Sequence, residues 1–319
     1  MPTYLITGGA GFIGSHLAQA LTAQGQTVRV LDNLTSGKMQ NLQAAHRGKG
    51  EFSFIEGDIR DLQTCQQAMR GVDYVLHQAA RPSVQRSIEN PLATHEVNAT
   101  GSLNILWAAK EAGVKRVVVA SSSSIYGDVE PESAPKKESL PPKPLSPYAV
   151  SKVAMENYCT AFYKVYGLET VRLRYFNVFG PRQDPESPYA AVVPKFLFAL
   201  QEGQAPTILG DGRQSRDFTY VDNVVAANLA ACISPEAPGQ AINVAAGVSH
   251  DLLDLLQVLG ELLGSEVKPK FGPARSGEVR YSLASLELAK QVLGYEPKVD
   301  FRQGLARLVE LARQGRYAL

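Results

Sequence analysis

A tyrosine and a lysine, Tyr148 and Lys152, lie one helical turn apart in a stretch that is predicted to be helical from Pro147 onward. Residues at this spacing share one helical face. A neighbouring ammonium lowers the pKa of a phenol because it favours the phenolate, and a shift from the ordinary value near 10 to about 7 takes roughly 4 kcal/mol. Such a tyrosine is a candidate general base at neutral pH. The pair alone does not separate a catalytic site from an ordinary amphipathic helix.

A run of serines, Ser121 to Ser124, follows the apolar segment 116–120. If that segment is a strand of a parallel sheet, the serines lie at the carboxyl edge, where ligands bind in open α/β sheets. A serine hydroxyl there can hold a substrate oxygen and stabilise its changing charge. Without the tyrosine–lysine pair, a polar turn at the end of a strand would be the better interpretation.

Gly8, Gly11 and Gly14 have the spacing G-x-x-G-x-x-G directly after the apolar segment 3–7. A helical stretch at 15–21 follows, so the glycines stand where a strand turns into a helix. Glycines there let a pyrophosphate approach the backbone, and the helix start offers free N–H groups. The pattern therefore predicts a dinucleotide site; a glycine turn without a ligand is the alternative.

A second strand is predicted at 27–31, and Asp32 follows it directly. An acid at this place can hold both hydroxyls of an adenosine ribose and would repel the additional phosphate of NADP. The prediction is therefore NAD in preference to NADP. A solvated acid at a strand end is the alternative interpretation.

Short apolar strands alternate with helices through the first half of the chain. The strands are predicted at 3–7, 27–31, 51–55, 74–76, 116–120 and 169–174, with the most regular helices at 92–113 and 147–166. This alternation predicts an α/β fold with a Rossmann-type, doubly wound parallel sheet. The proline-rich segment 131–147 is predicted to be a surface loop.

The alternation changes after residue 180. Helices are predicted at 193–201, 222–233 and 252–264, and a short strand at 207–209. We therefore expect an NAD-binding Rossmann domain over 1–180 and a smaller mixed α/β substrate lobe over 181–319, with some segments of the second part returning to the first domain.

The composition limits the partners. With 32 basic and 31 acidic residues the formal net charge is +1, which indicates neither a nucleic-acid nor a membrane partner. The three cysteines, Cys65, Cys159 and Cys232, follow no metal-binding spacing and fit a reducing compartment. The sequence shows no signal peptide and no apolar run of membrane-spanning length. We expect a soluble, cytoplasmic protein without a metal site.

Several motifs together resemble the extended short-chain dehydrogenases/reductases, in particular the NAD-dependent epimerase/dehydratase family that acts on nucleotide sugars. The motifs are TGGAGFIG at 7–14, GDIRD at 57–61, SSSSIYGD at 121–128, YAVSK at 148–152, RYFNVFGPRQ at 174–183 and RDFTYVD at 216–222. The resemblance runs nearly from end to end. It implies a Rossmann-type fold, NAD as the cofactor and a UDP-sugar as the substrate.

The resemblance also implies roles for individual residues. Tyr148 would be the catalytic acid/base, Lys152 its partner and a ligand of the nicotinamide ribose, and Ser122 the catalytic serine. The implied cofactor-binding residues are Gly8, Gly11, Phe12, Ile13, Asp32, Asn33, Asp58, Ile59, Gln78, Ala79, Ala80, Asn98, Tyr148, Lys152 and Tyr175. The implied substrate-binding residues are Ser83, Ser122, Ser123, Ser124, Tyr148, Asn177, Val193, Arg216, Arg275, Glu278 and Ser282. Planar guanidinium groups such as those of Arg216 and Arg275 suit a diphosphate.

The residues after Ser122 separate the reactions of this family. Dehydratases carry an Asp-Glu pair there and decarboxylating relatives a Glu at the second position, whereas this chain has Ser123 and Ser124. A neutral serine pair cannot supply a second proton transfer at pH 7, which favours 4-epimerisation through a 4-keto intermediate. A UDP-glucuronate 4-epimerase, or another nucleotide-sugar dehydratase or reductase, is the alternative, although Asp184 would repel a sugar carboxylate.

By the same resemblance, Ser282 takes the place of a bulky tyrosine that glucose-only epimerases carry beside the hexose, and it leaves room for a 2-acetamido group. The stretch 174–194 is most similar to epimerases of UDP-N-acetylhexosamines. We expect activity on UDP-GlcNAc/UDP-GalNAc and also on UDP-Glc/UDP-Gal; a register error of one residue would place Tyr281 beside the hexose and reverse the preference.

Similar proteins form homodimers through two helices that match 92–113 and 147–166, which implies a homodimer for this chain. The alternative is that these helical faces pack only on the sheet.

Overall fold

The computed structural model describes residues 1–129, 135–185, 187, 190–273 and 279–317. Its strands are β1 (Thr3–Thr7), β2 (Thr27–Asp32), β3 (Phe52–Glu56), β4 (Tyr74–His77), β5 (Arg116–Ser122), β6 (Glu169–Tyr175), β7 (Val178–Phe179), β8 (Thr207–Leu209), β9 (Ser215–Asp217), β10 (Thr219–Tyr220), β11 (Ala241–Val244), β12 (Ser249–Asp251) and β13 (Lys270–Gly272). Its α-helices are α1 (Phe12–Ala23), α2 (Gln43–His46), α3 (Leu62–Ala68), α4 (Val84–Glu89), α5 (Pro91–His95), α6 (Ser102–Ala112), α7 (Pro147–Tyr166), α8 (Val192–Gln201), α9 (Val221–Ile233), α10 (Leu252–Leu263), α11 (Glu287–Leu293) and α12 (Phe301–Arg313).

The strands β11-β6-β5-β4-β1-β2-β3 form, in this order, one seven-stranded parallel sheet. The order reverses between β1 and β4, which creates the switch point at which doubly wound folds bind their ligands. The predicted Rossmann-type sheet is confirmed. Because β11 pairs with β6, a segment from beyond residue 180 completes this sheet, while the division into 1–180 and 181–319 stays a prediction.

Alternate residues of the strands cover the two faces of this sheet. Tyr4 and Ile6 of β1 pack in the core that includes α1 and α9, whereas Leu5 packs in the opposite core with α3, α6 and α7. In β5, Val118 packs in the first of these cores and Val119 in the second. Helices on both faces explain why the middle residues of β1 and β5 are apolar in succession instead of alternating with polar residues.

The second lobe has a core of its own. Apolar residues of α8, α10 and α12 pack there around Phe179 and Phe218. Three two-stranded sheets connect its parts, β7 with β10, β8 with β13, and β9 with β12. The antiparallel pair of β9 and β12 holds Arg216 opposite His250.

Most observed bounds lie within one or two residues of the predicted ones. The single helix predicted at 92–113 is wrong, because a π-helical turn at Glu96–Gly101 separates α5 from α6. Within this turn the side chain of Asn98 bonds to the backbone of Arg81 and to Ser151. These tertiary contacts outweigh the regular helical pattern.

The segment 131–147 was predicted to be a surface loop, but it does not lie wholly on the surface. Lys136 forms a β-bridge with Ala284 and is only 3% exposed.

In the described part of the chain, no helix is long and apolar enough to cross a bilayer, and no three His, Cys, Asp or Glu side chains are grouped around a possible metal site. The three cysteines are buried thiols.

Candidate active site

A cavity of about 1130 Å³ runs along the carboxyl edge of the sheet. Its wall begins at the glycine turn after β1, passes the ends of β2, β4, β5 and β6 and the first turn of α7, and reaches Arg216 and Ser282 in the second lobe. This volume exceeds the roughly 300–1,000 Å³ of an ordinary small-ligand pocket. The cavity therefore has room for a dinucleotide and a second ligand.

The glycine turn fits a pyrophosphate. Gly8 has a φ of +66°, and a Cβ there would lie 2.7 Å from the backbone of Ala79. Gly11 is the N-cap of α1, lines the cavity, and is followed by a first helical turn without a capping side chain. A Cβ on Gly11 would meet only the Gly8 carbonyl oxygen, at 3.1 Å, among the described atoms within 4 Å. The start of α1 thus presents N–H groups to an open part of the cavity, which is the arrangement that binds phosphate groups.

Asp32 lies at the end of β2, in the wall of the same cavity. Its carboxylate accepts hydrogen bonds from the backbone N–H groups of Ala10, at 2.9 Å, and Leu34, at 2.8 Å. Burial raises its pKa, and the two backbone hydrogen bonds oppose this rise. A carboxylate has about four acceptor positions, so two remain for the hydroxyls of a ribose.

The next part of the wall contains Asp58 and Ile59. Asn33 donates to the carboxylate of Asp58 at 2.8 Å, and Arg60 binds it with two hydrogen bonds of 3.0 and 2.8 Å. The hydrogen bond from Arg60 is the largest cause that lowers the pKa of Asp58 to about 2. The carboxylate is therefore ionised and held in place beside an apolar residue, in a position suited to a flat base.

Helix α7 positions the tyrosine and the lysine. The Ser146 hydroxyl caps the helix by accepting the Ala149 N–H at 3.2 Å, and a proline occupies the first turn. This cap places Tyr148 at the cavity, with Lys152 one turn later. Lys152 Nζ donates to the carbonyl oxygen of Ala120 at 2.7 Å and lies 5.9 Å from the centre of the Tyr148 ring. The lysine thus joins the helix to the end of β5.

Burial dominates the electrostatics of this pair. It lowers the pKa of Lys152 to about 8, a shift that the nearby carboxylate of Glu156 opposes. It raises the pKa of Tyr148, and the hydrogen bond between Tyr148 and Ser122 opposes this rise. The expectation that Lys152 lowers the pKa of the phenol is therefore not met in the protein alone. A positive charge bound beside the ring would favour the phenolate.

The four serines at the end of β5 and in the turn that follows have different partners. Ser122 accepts the N–H of Ser124 at 3.2 Å and, with Ser123 and Ser124, lines the cavity. The buried hydroxyl of Ser124 has no hydrogen-bond partner within the described ranges. Ser121 also borders the cavity, but its hydroxyl donates to Glu156 of α7 at 2.6 Å. Ser121 therefore supports α7 through its hydroxyl, whereas Ser122 to Ser124 contribute to the cavity wall.

A buried polar network lies behind the cavity wall. Arg174 binds Glu156 through two hydrogen bonds of 3.0 and 2.8 Å, and both side chains are 7% exposed. Arg174 also donates to the hydroxyl of Tyr126, which donates to Asn243 of β11 at 2.7 Å. Sequence reasoning missed this network, because its members lie far apart in the chain and carry no common motif.

His77, at the end of β4, is buried behind the cavity wall. The Ser102 hydroxyl donates to the carbonyl oxygen of Asn98 at 2.6 Å and lies 2.9 Å from Nε2 of His77. Nε2 therefore carries the proton, and Nδ1 accepts from the hydroxyl of Thr7 at 2.6 Å. Burial lowers the pKa of His77 to about 3. The imidazole is neutral, and its hydrogen bonds connect β1 and β4 with α6.

Ser83 carries backbone strain in the cavity wall. Its φ is +105°, which L-residues rarely adopt, and its hydroxyl accepts the N–H of Arg86 at 3.2 Å. Strained residues of this kind cluster at functional sites. Arg86 lies beside it in the wall.

The structure brings most of the predicted site residues together. The cavity wall contains Gly8, Gly11, Phe12, Ile13, Asp32, Asn33, Asp58, Ile59, Gln78, Ala79, Ala80, Ser83, Ser122, Ser123, Ser124, Tyr148, Lys152, Tyr175, Asn177, Arg216 and Ser282. Asn98 and Val193 do not line it: Asn98 lies behind the wall, and Val193 packs with Phe196 in the core of the second lobe. Arg275 and Glu278 lie outside the described residues. The roles assigned to all of these residues stay predictions.

The wall also contains charged residues that were not predicted. Lys38 pairs with Asp184 at 3.5 Å, and Arg81, Lys136 and Arg182 lie further along the cavity. For Lys136 the sequence offers no signal, since a lysine between prolines is typical of an exposed loop.

A parallel sheet with a glycine turn at its switch point, joined to a Ser–Tyr–Lys group at the same edge, defines an enzyme of the short-chain dehydrogenase/reductase type. Residues 4–245 match the model of the NAD dependent epimerase/dehydratase family. This chain belongs to that family. The predicted family and the predicted cofactor, NAD, are confirmed.

Three similar proteins cover nearly the whole chain. A UDP-glucose 4-epimerase of Mycolicibacterium smegmatis is 39% identical over 97% of this chain and 98% of its own. A solved UDP-N-acetylglucosamine 4-epimerase of Methanobrevibacter ruminantium, in complex with UDP-N-acetylmuramic acid, is 39% identical with a TM-score of 0.92 over 98% of this chain and 99% of that chain. A UDP-glucuronate 4-epimerase of Thermodesulfobacterium geofontis is 32% identical over 98% of this chain and 97% of its own. All three names agree with the prediction of an isomerase.

Proposed function

We propose that this protein is an NAD-dependent UDP-sugar 4-epimerase that interconverts UDP-GlcNAc and UDP-GalNAc, and also UDP-Glc and UDP-Gal, through a 4-keto intermediate. One observation carries the proposal. A single cavity connects the glycine turn to Arg216 and Ser282, and Ser122, Tyr148 and Lys152 lie between its two ends.

NAD, held by the glycine turn and Asp32, would supply the hydride acceptor and donor for the sugar C4. The protein supplies the proton transfers. The Tyr148 phenolate removes the proton of the C4 hydroxyl, the Ser122 hydroxyl holds the same oxygen, and the Lys152 ammonium stabilises the phenolate. After the keto sugar has turned about its diphosphate linkage, Tyr148 returns the proton to that oxygen. The cofactor ends unchanged, so it remains bound between turnovers.

The far end of the cavity suits a nucleotide sugar. Asn177 and Arg216 line it, and a guanidinium group binds a diphosphate through two parallel hydrogen bonds. Ser124 lines the same cavity, and its buried hydroxyl, which has no hydrogen-bond partner among the described residues, would gain one in a bound hexose. Ser83 and Ser123 lie in the same wall. We assign these five residues to the substrate, together with Arg275 and Glu278, which lie outside the described residues.

The position of Ser282 supports the choice of N-acetylated sugars. Ser282 lines the cavity, and it is 5% exposed. Tyr281 does not belong to the described cavity wall; its ring lies 5.5 Å from the guanidinium carbon of Arg280. A serine beside the hexose leaves the volume that an acetamido group requires.

Replacing Ser282 by tyrosine is expected to reduce kcat/KM for UDP-GlcNAc at least 100-fold and that for UDP-glucose less than threefold, since a clash with an added group costs about 1–3 kcal/mol or more. Ser282→Ala is the matched control, because it keeps the space and removes only the hydroxyl. Equal losses on both sugars in the tyrosine variant would contradict this role of Ser282.

A uronate 4-epimerase is the second candidate. The observation in its favour is the ion pair of Lys38 with Asp184, at 3.5 Å in the cavity wall, which weakens the repulsion between Asp184 and a sugar carboxylate. The serine pair Ser123 and Ser124 argues against a dehydratase, because it offers no second group that exchanges protons near pH 7.

The proposal is tested by incubating the purified protein, without added NAD, with UDP-GlcNAc, UDP-glucose or UDP-glucuronate in separate reactions. Proton NMR is expected to show inversion at C4 of the first two sugars. Inversion of UDP-glucuronate alone would favour the second candidate. A strict requirement for added NADH in every turnover would indicate a reductase.

We also propose a cytoplasmic homodimer that forms through 92–113 and 147–166. Apolar side chains of these helices and their neighbour are exposed, namely those of Ile88, Leu92, Val150, Tyr158 and Val165. Their burial against a second copy would remove an apolar patch from water. Light scattering distinguishes the dimer from the 34.5-kDa monomer. The three buried thiols support a reducing location.

A further inference from the structure

Lys136 is a buried cation in the wall of the cavity. Its backbone is fixed on both sides, because its N–H donates to the carbonyl oxygen of Leu283 at 2.8 Å and its carbonyl oxygen accepts from the Asn243 side chain at 2.8 Å. The lysine therefore belongs to the same wall segment as Ser282. It cannot be withdrawn into solvent as a loop residue could.

Among the described residues, no carboxylate forms an ion pair with the ammonium group of Lys136. Nζ donates to the carbonyl oxygen of Gly127 at 2.8 Å. Within the described ranges, this is its one hydrogen-bond acceptor. An ammonium has three donors. Two are left for a ligand, and a buried charge without a counter-charge is costly.

The charges near Lys136 indicate what kind of ligand completes the site. Burial is the largest cause that lowers the pKa of Lys136, to about 8; the charge of Asp128 opposes this shift, and the charge of Arg216, in the same wall, adds to it to a smaller extent. Lys136 is thus mostly protonated at neutral pH. Two cations that face one cavity repel each other until an anion lies between them.

We propose that Lys136 binds the diphosphate of the nucleotide sugar together with Arg216, as a substrate-binding residue of this chain. The inference rests on the proposed function, since it takes the UDP-sugar as the ligand. A diphosphate carries about two negative charges and accepts both a point-like ammonium and a planar guanidinium donor. It satisfies the two unused donors of Lys136 and removes its repulsion with Arg216. A neutral hexose would satisfy the donors but would not remove the repulsion between Lys136 and Arg216.

The test is UDP binding by isothermal titration calorimetry, with the NAD-loaded protein and its Lys136→Met variant. Methionine has a similar length and suits a buried site. Loss of a hydrogen-bonded ion contact is expected to weaken UDP binding about 10- to 100-fold, and to raise KM for UDP-GlcNAc and UDP-glucose by a similar factor with little change in kcat. Lys136→Arg keeps the charge and is expected to recover part of the affinity.

Lys137→Met is the matched control, because this neighbouring lysine is exposed and pairs with Glu287 at 3.1 Å; its UDP affinity is expected to be that of the wild type. Unchanged UDP affinity in the Lys136→Met variant would overturn the inference, and a loss limited to UDP-GlcNAc would instead assign the ammonium to the acetamido group. Should the methionine variant fail to fold, Lys136→Gln allows the same comparison. A wild-type protein that binds UDP but epimerises no UDP-sugar would disprove the proposed function and leave this binding test intact.

Discussion

Replacing Tyr148 by phenylalanine is expected to reduce the turnover of every UDP-sugar to below a few per cent of the wild-type value. The phenol is the proton acceptor of the proposed reaction, and a positioned acid/base contributes about 100- to 10,000-fold to the rate. The change removes one oxygen and leaves the ring. The cap of α7 by Ser146 and the bond from Lys152 to Ala120 do not involve that oxygen. The loss should therefore appear in kcat, with NAD and UDP still bound.

The measurement is the initial rate of C4 inversion, together with the NAD content of the purified variant. Tyr163→Phe is the matched control, because Tyr163 lies on the same helix and is 38% exposed. Its rate should equal that of the wild type. A Tyr148→Phe protein that keeps a substantial rate would mean that another group accepts the proton. Loss of NAD from this variant would mean that the hydroxyl holds the cofactor.

The second large effect is expected at the glycine turn, where two glycines are required for different reasons. A Cβ on Gly14 would lie 2.3 Å from the carbonyl oxygen of Gly8 and 2.7 Å from Cα of Gly9. These are backbone atoms, which cannot rotate away. Gly14→Ala is therefore expected to lower the free energy of unfolding by about 3 kcal/mol or more, at the upper end of the overpacking range.

Gly11→Ala provides the contrast, because its Cβ would enter the open cavity and meet only the oxygen of Gly8, at 3.1 Å, among described atoms. We expect nearly unchanged urea stability of the NAD-free protein and at least 10-fold weaker NAD binding, since the methyl group takes the space of the pyrophosphate. Urea titration and NAD titration separate the two effects. Equal loss of stability in both variants would show that Gly11, too, is needed for packing alone.

Local patterns predict the fold of this chain well. The central strands β1, β4 and β5 contain continuous apolar runs because both faces of the sheet are covered, and the turns between the strands contain glycine and polar residues. The helix 147–166 has local signals at both ends, a serine cap with a proline at its start and Gly167 with a φ of +71° at its end. Its bounds could therefore be predicted. The π-helical turn around Asn98 could not, because its cause is contact with distant segments.

The candidate site divides in the same way. Gly8, Asp32 and Tyr148 lie in sequence motifs whose spacing indicates the chemistry of these residues. Lys136 comes from a proline-rich stretch, and its bridge to Ala284 and its bond to Asn243 make it part of the wall. Val193 is the opposite case: its place in a family motif implied a substrate contact, whereas its side chain packs in the core of the second lobe, and its role stays a prediction. Distant pairing determines such positions, and one sequence contains no sign of it.

The return of β11 to the sheet limits how this enzyme can be recombined with its relatives. Grafting the second lobe of a relative is an obvious route to a new sugar specificity, since Arg216 and Ser282 both lie beyond residue 180. A crossover at residue 180 would also replace Asn243 by the relative's residue. Asn243 is the last member of a chain of hydrogen bonds that runs from Glu156 through Arg174 and Tyr126. Chimeras that keep 221–245 from this chain should preserve the support of the catalytic helix, so the useful crossover points lie on either side of that segment.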